Sequence, residues 1–95
     1  MDTTIKLPQI ALRIIQAQAM IIGVSAWKEA GRVSGLVVDE AHTSVSFNGD
    51  AKDILNKLVL RYEQVFGKLS DEVCKEAARD LISELPAEEI PSSLK

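Results

Sequence analysis

A long apolar segment near the start of the chain restricts how the protein can fold. Thirteen of the eighteen residues from Ile10 to Trp27 are apolar, and they recur at helical spacing in two neighbouring rows. Pro8 suits the first position of a helix, where its missing N–H has no partner to lose, and Gly31 suits the end. The sequence therefore predicts one long helix from Pro8 to Ala30.

This predicted helix is more apolar than a surface helix of a small domain. A helix that is apolar nearly all round is buried on most sides, and the rest of the chain offers only a hairpin and two amphipathic helices to cover it. We therefore predict a homodimer, formed through the first helix, the hairpin or both. The residues expected at this self-association interface are Ile10, Ile14, Ala17, Ile21 and Trp27.

Two short segments after the helix predict a β-hairpin. Leu36, Val37 and Val38 are apolar. In residues 43–48, hydroxyl or amide side chains alternate with apolar ones from Ser44 onwards. The turn of residues 40–43 joins the two strands. A two-stranded sheet is marginally stable alone, so this one must pack on helices or extend across a partner.

Two amphipathic helices complete the chain. The first is expected to begin after the N-cap Asp50 and to end at Gly67. The second is expected to begin at the N-cap Ser70 and to end at Pro86, which cannot continue a helix. The predicted order of elements is therefore α-β-β-α-α.

These elements define the expected fold class and domain organisation. The class is α+β, with a long hydrophobic N-terminal helix, a two-stranded β-hairpin and a C-terminal helical hairpin. With 95 residues, the chain is too short for a second independent core. We expect residues 1–85 to form a single small globular domain and residues 86–95 to form a loosely ordered tail.

The hairpin turn holds the nearest approach to an active-site cluster. Asp39, Glu40 and His42 could bind a divalent metal ion or share acid–base work, since carboxylates and an imidazole are suited to both. Turns are also rich in such residues simply because they remain in water. One histidine and one cysteine cannot supply a four-ligand zinc site, and the chain has no Gly-rich phosphate loop. We predict no cofactor.

The remaining chemistry concerns Cys74 and the location of the protein. Cys74 lies on the apolar face of the last predicted helix, which favours a buried cysteine over a nucleophile. A single cysteine forms no internal disulfide, and the N-terminus lacks the basic start of a secretory signal. Arg13 within the apolar segment would cost ~2.5–3.5 kcal/mol in a bilayer. We therefore expect a cytoplasmic protein with no membrane partner.

The charge balance opposes nucleic-acid binding. The net charge is −3, whereas nucleic-acid binders carry a surplus of Lys and Arg. The Gly-containing junction between the last two helices is similar to that of a helix-turn-helix motif. However, Asp71 and Glu72 would lie at the start of its second helix, where the DNA phosphates would repel both carboxylates. We predict no nucleic-acid partner.

These observations favour a small non-enzymatic interaction or regulatory module that acts as a cytoplasmic homodimer. Two alternatives remain open. One is a small-ligand-binding protein with a pocket between the first helix and the hairpin. The other is an enzyme whose site, including Asp39, Glu40 and His42, is built across the dimer.

Overall fold

Gly23 divides the apolar N-terminal segment into two helices. The computed structural model describes residues 3–39, 41, 44–83, 85, 90 and 94. Helix α1 spans Thr3–Ile22, and helix α2 spans Ser25–Gly31. Gly23 lies between them with a φ of 71°, a left-handed conformation that interrupts a right-handed helix. The predicted single helix from Pro8 to Ala30 is therefore wrong, and Pro8 lies inside α1 because that helix begins at Thr3.

The break allows α2 to fold back onto the rest of the domain. Helix α2 packs against α1 and against the first strand, and its Ala26 and Ala30 are buried. The hydroxyl of the buried Tyr62 donates a hydrogen bond to the carbonyl of Ala26 at 2.6 Å. This contact fixes α2 from the inside of the domain.

The predicted β-hairpin is confirmed, and its second strand is shorter than expected. Strand β1 spans Leu36–Val38, and strand β2 spans Val45–Phe47. The strands are antiparallel, and Leu36 lies opposite Phe47 while Val38 lies opposite Val45. These two pairs share the face that packs on the core, because side chains alternate along a strand and the middle pair is exposed.

The predicted pair of C-terminal helices is also present. Helix α3 spans Ala51–Phe66, and helix α4 spans Lys68–Ile82. Gly67 separates them with a φ of 88°, so the chain turns at one residue and α4 begins immediately afterwards. Ser70 is therefore a buried residue within the first turn of α4, and its predicted role as N-cap is wrong. Asp50 precedes α3 without a side-chain capping hydrogen bond.

Helix α1 lies at the centre of a single core. It packs against α2, α3, α4 and β2, so the chain covers much of its own apolar helix. The α+β class with a hairpin is confirmed, and the order of the described elements is α-α-β-β-α-α. The largest fully buried side chains are Ile10, Ile14, Ile15, Gln18, Leu55, Leu58, Val59, Tyr62 and Cys74.

Residues near the C-terminus also contribute to this core. Leu85 and Leu94 are buried, and Ile90 is partly buried against the same cluster. The radius of gyration is 11.9 Å, close to the ~12 Å expected of one compact chain of this length. None of the helices in the described residues is long and apolar enough to span a bilayer.

Gly35, which precedes β1, provides a test of the fold. Its φ is 87°, and an added Cβ would lie 2.8 Å from Ile54 Cδ1 and 2.9 Å from the carbonyl oxygen of Asn48. Gly35→Ala should therefore cost ~1–2 kcal/mol for the left-handed backbone and ~1–3 kcal/mol more for the crowding. The midpoint and slope of urea unfolding measure this loss.

Gly23→Ala is the matched control for that substitution. Gly23 also has a positive φ, but an added Cβ there meets no atom within 4 Å. Only the backbone penalty should apply, so this variant should lose less stability than Gly35→Ala. Equal losses in the two variants would show that the approach of Ile54 and Asn48 does not matter.

Tyr62 should make the stability of the protein depend on pH in alkaline solution. Burial raises the pKa of its hydroxyl above the ordinary value of 10.0, and the nearby Cys74 and Glu29 groups add to the shift. Above pH 10 the unfolded chain ionises at Tyr62 while the folded chain does not. The contribution of the neutral Tyr62 hydroxyl to the free energy of unfolding is therefore complete below pH ~10. It declines as the pH rises further.

Comparison with Tyr62→Phe isolates this effect, because Tyr62 is the only tyrosine in the chain. The variant loses the hydrogen bond to Ala26, so it should be less stable by about 1 kcal/mol at neutral pH. Its stability should decline less steeply above pH 10 than that of the wild type. Parallel pH profiles from urea unfolding would contradict the raised pKa.

Candidate functional site

The hairpin turn lies only partly within the described residues. Asp39 is half-buried, and its Oδ1 accepts a hydrogen bond from the Ser44 N–H at 2.9 Å. The Asp39 N–H donates in turn to the Ser44 carbonyl at 3.2 Å, so Asp39 helps to close the hairpin. Glu40 and His42 lie outside the described residues, and the metal or ligand role of this turn stays a prediction. Within the described part of the chain, no three His, Cys, Asp or Glu residues are grouped to hold a metal ion.

The five residues predicted at a self-association interface divide between core and surface. Ile10 and Ile14 are 0% exposed in the single chain, so a second copy cannot contact them unless α1 moves. Ala17 and Trp27 are half-buried, and Ile21 is 61% exposed. The surface available to a partner therefore lies towards the C-terminal end of α1.

An apolar surface covers the C-terminal half of α1 and the N-terminal half of α4. Ala17 shares a groove with Ala77, and Ile22 shares a neighbouring groove with Leu69, so the two helices are antiparallel. We call this region the α1–α4 surface. Its residues are Ala17, Met20, Ile21, Leu69, Val73 and Ala77.

Two adjoining grooves run along this surface. The larger has a volume of about 310 Å³, and Glu76 is the one charged residue in its lining. The smaller has a volume of about 160 Å³ and shares Ile21 and Val73 with the larger. The two grooves therefore form one continuous apolar depression between the helices.

Large apolar side chains stand beside these grooves. Met20 is 89% exposed, Leu69 is 68% exposed and Ile21 is 61% exposed. Exposed apolar residues that occur singly are normal on protein surfaces. A group of them on two adjacent helices is typical of a site where another molecule binds. This surface is the strongest candidate functional site among the described residues.

A buried polar contact lies beneath the α1–α4 surface. Gln18 of α1 is 1% exposed, and its Nε2 donates hydrogen bonds to the Ser70 carbonyl at 3.0 Å and to Cys74 Sγ at 3.4 Å. A buried amide costs free energy when it lacks partners, so these bonds favour one register of α1 against α4. The grooves above are therefore formed by helices in a fixed relative position.

Sequence reasoning overlooked part of this surface. Met20 follows Gln16 by four residues and extends the row that contains Arg13 and Gln16, which the sequence suggests is solvated. The apolar side chain of Met20 at the end of this polar row was the signal in the sequence that could have indicated the surface. Leu69 fell between the two predicted C-terminal helices, and only the early start of α4 places it on a helix face.

The chain matches no protein-family model, no curated protein and no solved structure in the comparisons made.

The accessibility of Cys74 tests the contact beneath the surface. Cys74 is 0% exposed, which confirms the predicted buried cysteine. A thiol reagent should modify it only when α1 and α4 separate. Gln18→Ala removes the covering hydrogen bond and should accelerate labelling about ten- to a hundredfold, as expected for a loss of ~1.5–3 kcal/mol.

Gln16→Ala is the control for this labelling experiment. Gln16 lies on the same helix and is exposed, so its removal should leave the labelling rate unchanged. Labelling of the folded wild type at the rate of the urea-unfolded chain would show that Cys74 is not covered in solution.

Proposed function

We propose that this chain is a non-enzymatic cytoplasmic interaction module that acts as a homodimer through the α1–α4 surface. The observation that carries the proposal is the group formed by Met20, Ile21 and Leu69, three large apolar side chains exposed beside one apolar depression. Covering such side chains removes apolar area from water, which favours association. A chain with a single cysteine, which forms no internal disulfide, is compatible with a reducing compartment.

A second copy of the chain is a suitable occupant of this surface. In a two-fold dimer the same patch faces itself, so each copy must offer both a projection and a depression. The α1–α4 surface has both, because Met20 and Leu69 stand beside the grooves. Two antiparallel helix pairs packed face to face would form a four-helix bundle, with α1 and α4 contributed by each copy.

The charges around the surface also favour a second copy. Glu76 lines the larger groove, and the exposed Arg79 pairs with it at 2.6 Å, so both a negative and a positive charge lie beside the surface. A partner that carries charges of only one sign would be repelled by the charge of the same sign beside this surface. A second copy brings both signs, so opposite charges can be paired across the two-fold axis.

The size of the surface indicates a modest affinity. Helix α4 has 15 residues and is therefore ~22 Å long, and two adjacent helices present a face ~20 Å wide. A standard interface covers ~800 Å² of each partner, about one-seventh of the 5441 Å² surface of this chain. A face of these dimensions covers ~440 Å², about half of that standard area. We therefore expect monomer and dimer to exchange at concentrations that solution experiments can reach.

Light scattering over a wide concentration range tests the dimer. The wild-type mass should rise from 10.4 kDa towards twice that value as the concentration increases. Met20→Glu and Leu69→Glu each place a carboxylate in the proposed apolar interface, which is costly without a partner. Both variants should therefore remain monomeric where the wild type is dimeric, and both should fold because the two side chains are largely exposed.

Val65→Glu is the matched control for these variants. Val65 is 44% exposed on α3 and lies outside the α1–α4 surface, so this variant should dimerise like the wild type. A wild type that remains monomeric at all concentrations would overturn the homodimer. If Met20→Glu and Leu69→Glu dimerise as the wild type does, the interface lies elsewhere on the chain.

The sequence leaves two alternative functions open, a small-ligand-binding protein and an enzyme. The cavities named above lie between α1 and α4, and a ligand pocket between the first helix and the hairpin stays a prediction. An enzyme site across the dimer depends on Glu40 and His42, which lie outside the described residues. That alternative predicts a metal affinity that His42→Ala abolishes.

A further inference from the structure

Three cationic side chains from two separate parts of the chain line one cavity. Arg32 follows α2, whereas Lys57 and Arg61 lie on α3, one turn apart. The cavity has a volume of about 260 Å³ and lies away from the α1–α4 surface. Arg32 precedes Lys57 by 25 positions in the sequence, and only the fold brings it to the two cations of α3.

The charge of this cavity differs in sign from that of the whole protein. The chain carries a net charge of −3. Around the cavity, the three cations face two carboxylates, those of Glu29 and Asp53. Asp53 contacts Lys57 at 3.3 Å, with both side chains more than half exposed, so water weakens this pair. The local balance is therefore positive.

Arg61 is held in position by a carboxylate of α2. Its Nε and Nη2 both contact Glu29 Oε1 at 2.7 Å, and the Glu29 side chain is only 14% exposed. This contact uses one edge of the guanidinium and leaves Nη1 outside it. A guanidinium with a fixed orientation loses little conformational entropy when a planar or tetrahedral anion binds to its other edge.

The remaining lining of the cavity is of two kinds. Ser34 and Gln64 supply neutral polar groups, which can donate hydrogen bonds to an anion. Val33 and Leu60 supply apolar surface, and Leu60 is 48% exposed although it lies on a helix of the core. Concave sites that combine apolar walls with a few converging polar groups are typical of small-ligand binding.

We propose that this cavity binds a small organic phosphate, with the phosphate group between Arg32, Lys57 and Arg61 and the apolar part of the ligand against Leu60. Two guanidinium groups and one ammonium group match the several oxygens of a phosphate. The volume limits the ligand to a small molecule. One protomer supplies all these residues, so the site does not depend on dimerisation.

Titration with phenyl phosphate, followed by amide resonances in nuclear magnetic resonance spectra, tests the site. Phenyl phosphate should cause saturable shifts that concentrate at residues 32–34 and 57–64. Inorganic phosphate should shift the same amides with weaker affinity, because it lacks an apolar part. Equal affinity for both ligands would overturn the role of Leu60, and shifts spread over the whole chain would overturn the site.

Variants that each remove one positive charge then identify the side chains that bind phenyl phosphate. Lys57→Gln and Arg32→Gln should each weaken phenyl phosphate binding about tenfold or more, since each removes a charged hydrogen-bond donor. Arg61→Gln should do the same, but it also breaks the close 2.7 Å contact with the largely buried Glu29, whereas Arg32 lies 3.8 Å from that carboxylate. The other two variants therefore carry the test.

Arg79→Gln is the matched control. It removes the same charge from exposed Arg79, which pairs with Glu76 on α4 and lies outside the cavity. This variant should bind phenyl phosphate like the wild type, as should the monomeric Met20→Glu variant. Equal weakening in Arg79→Gln and Lys57→Gln would show a general charge effect and overturn the proposal.

Discussion

The left-handed backbone at Gly23 is the constraint on which the rest of the structure depends. A continuous helix would carry residues 24–31 away from the domain along the axis of α1. The reversal instead returns them to α3 and β1, where Ala26 and Ala30 become part of the core. Both proposed sites depend on this break at Gly23. Because of it, α1 ends beside α4, and α2 places Glu29 and Arg32 against α3.

The fold class was predictable from the sequence because it depends on local patterns. The alternation at Val45 and Phe47, the helical rows of α3 and the stop at Gly67 each determine one element. The break at Gly23 was harder to predict. A glycine inside a helical pattern is usually tolerated at a modest cost, and tertiary contacts of α2, such as that between Tyr62 and Ala26, favour the break here.

The candidate sites were less predictable because they depend on three-dimensional proximity. Ile14 and Ile21 belong to the same helical row, yet one is fully buried and the other is mostly exposed. Ile21 lies in the grooves between α1 and α4, and no periodicity marks the position at which burial along that row ends. Arg32 and Arg61 are 29 positions apart in the sequence, and their shared contact with Glu29 arises only when α2 packs on α3.

That contact has a consequence for how the domain opens. Helix α2 has seven residues, and a helix so short is unstable in isolation. Consecutive residues of α3 hold it at two points, with Arg61 on the carboxylate of Glu29 and Tyr62 on the carbonyl of Ala26. Helices α2 and α3 therefore belong to one cooperative unit. Hydrogen exchange in α2 is thus governed by the opening of its contacts with α3 and not by fraying of α2 alone.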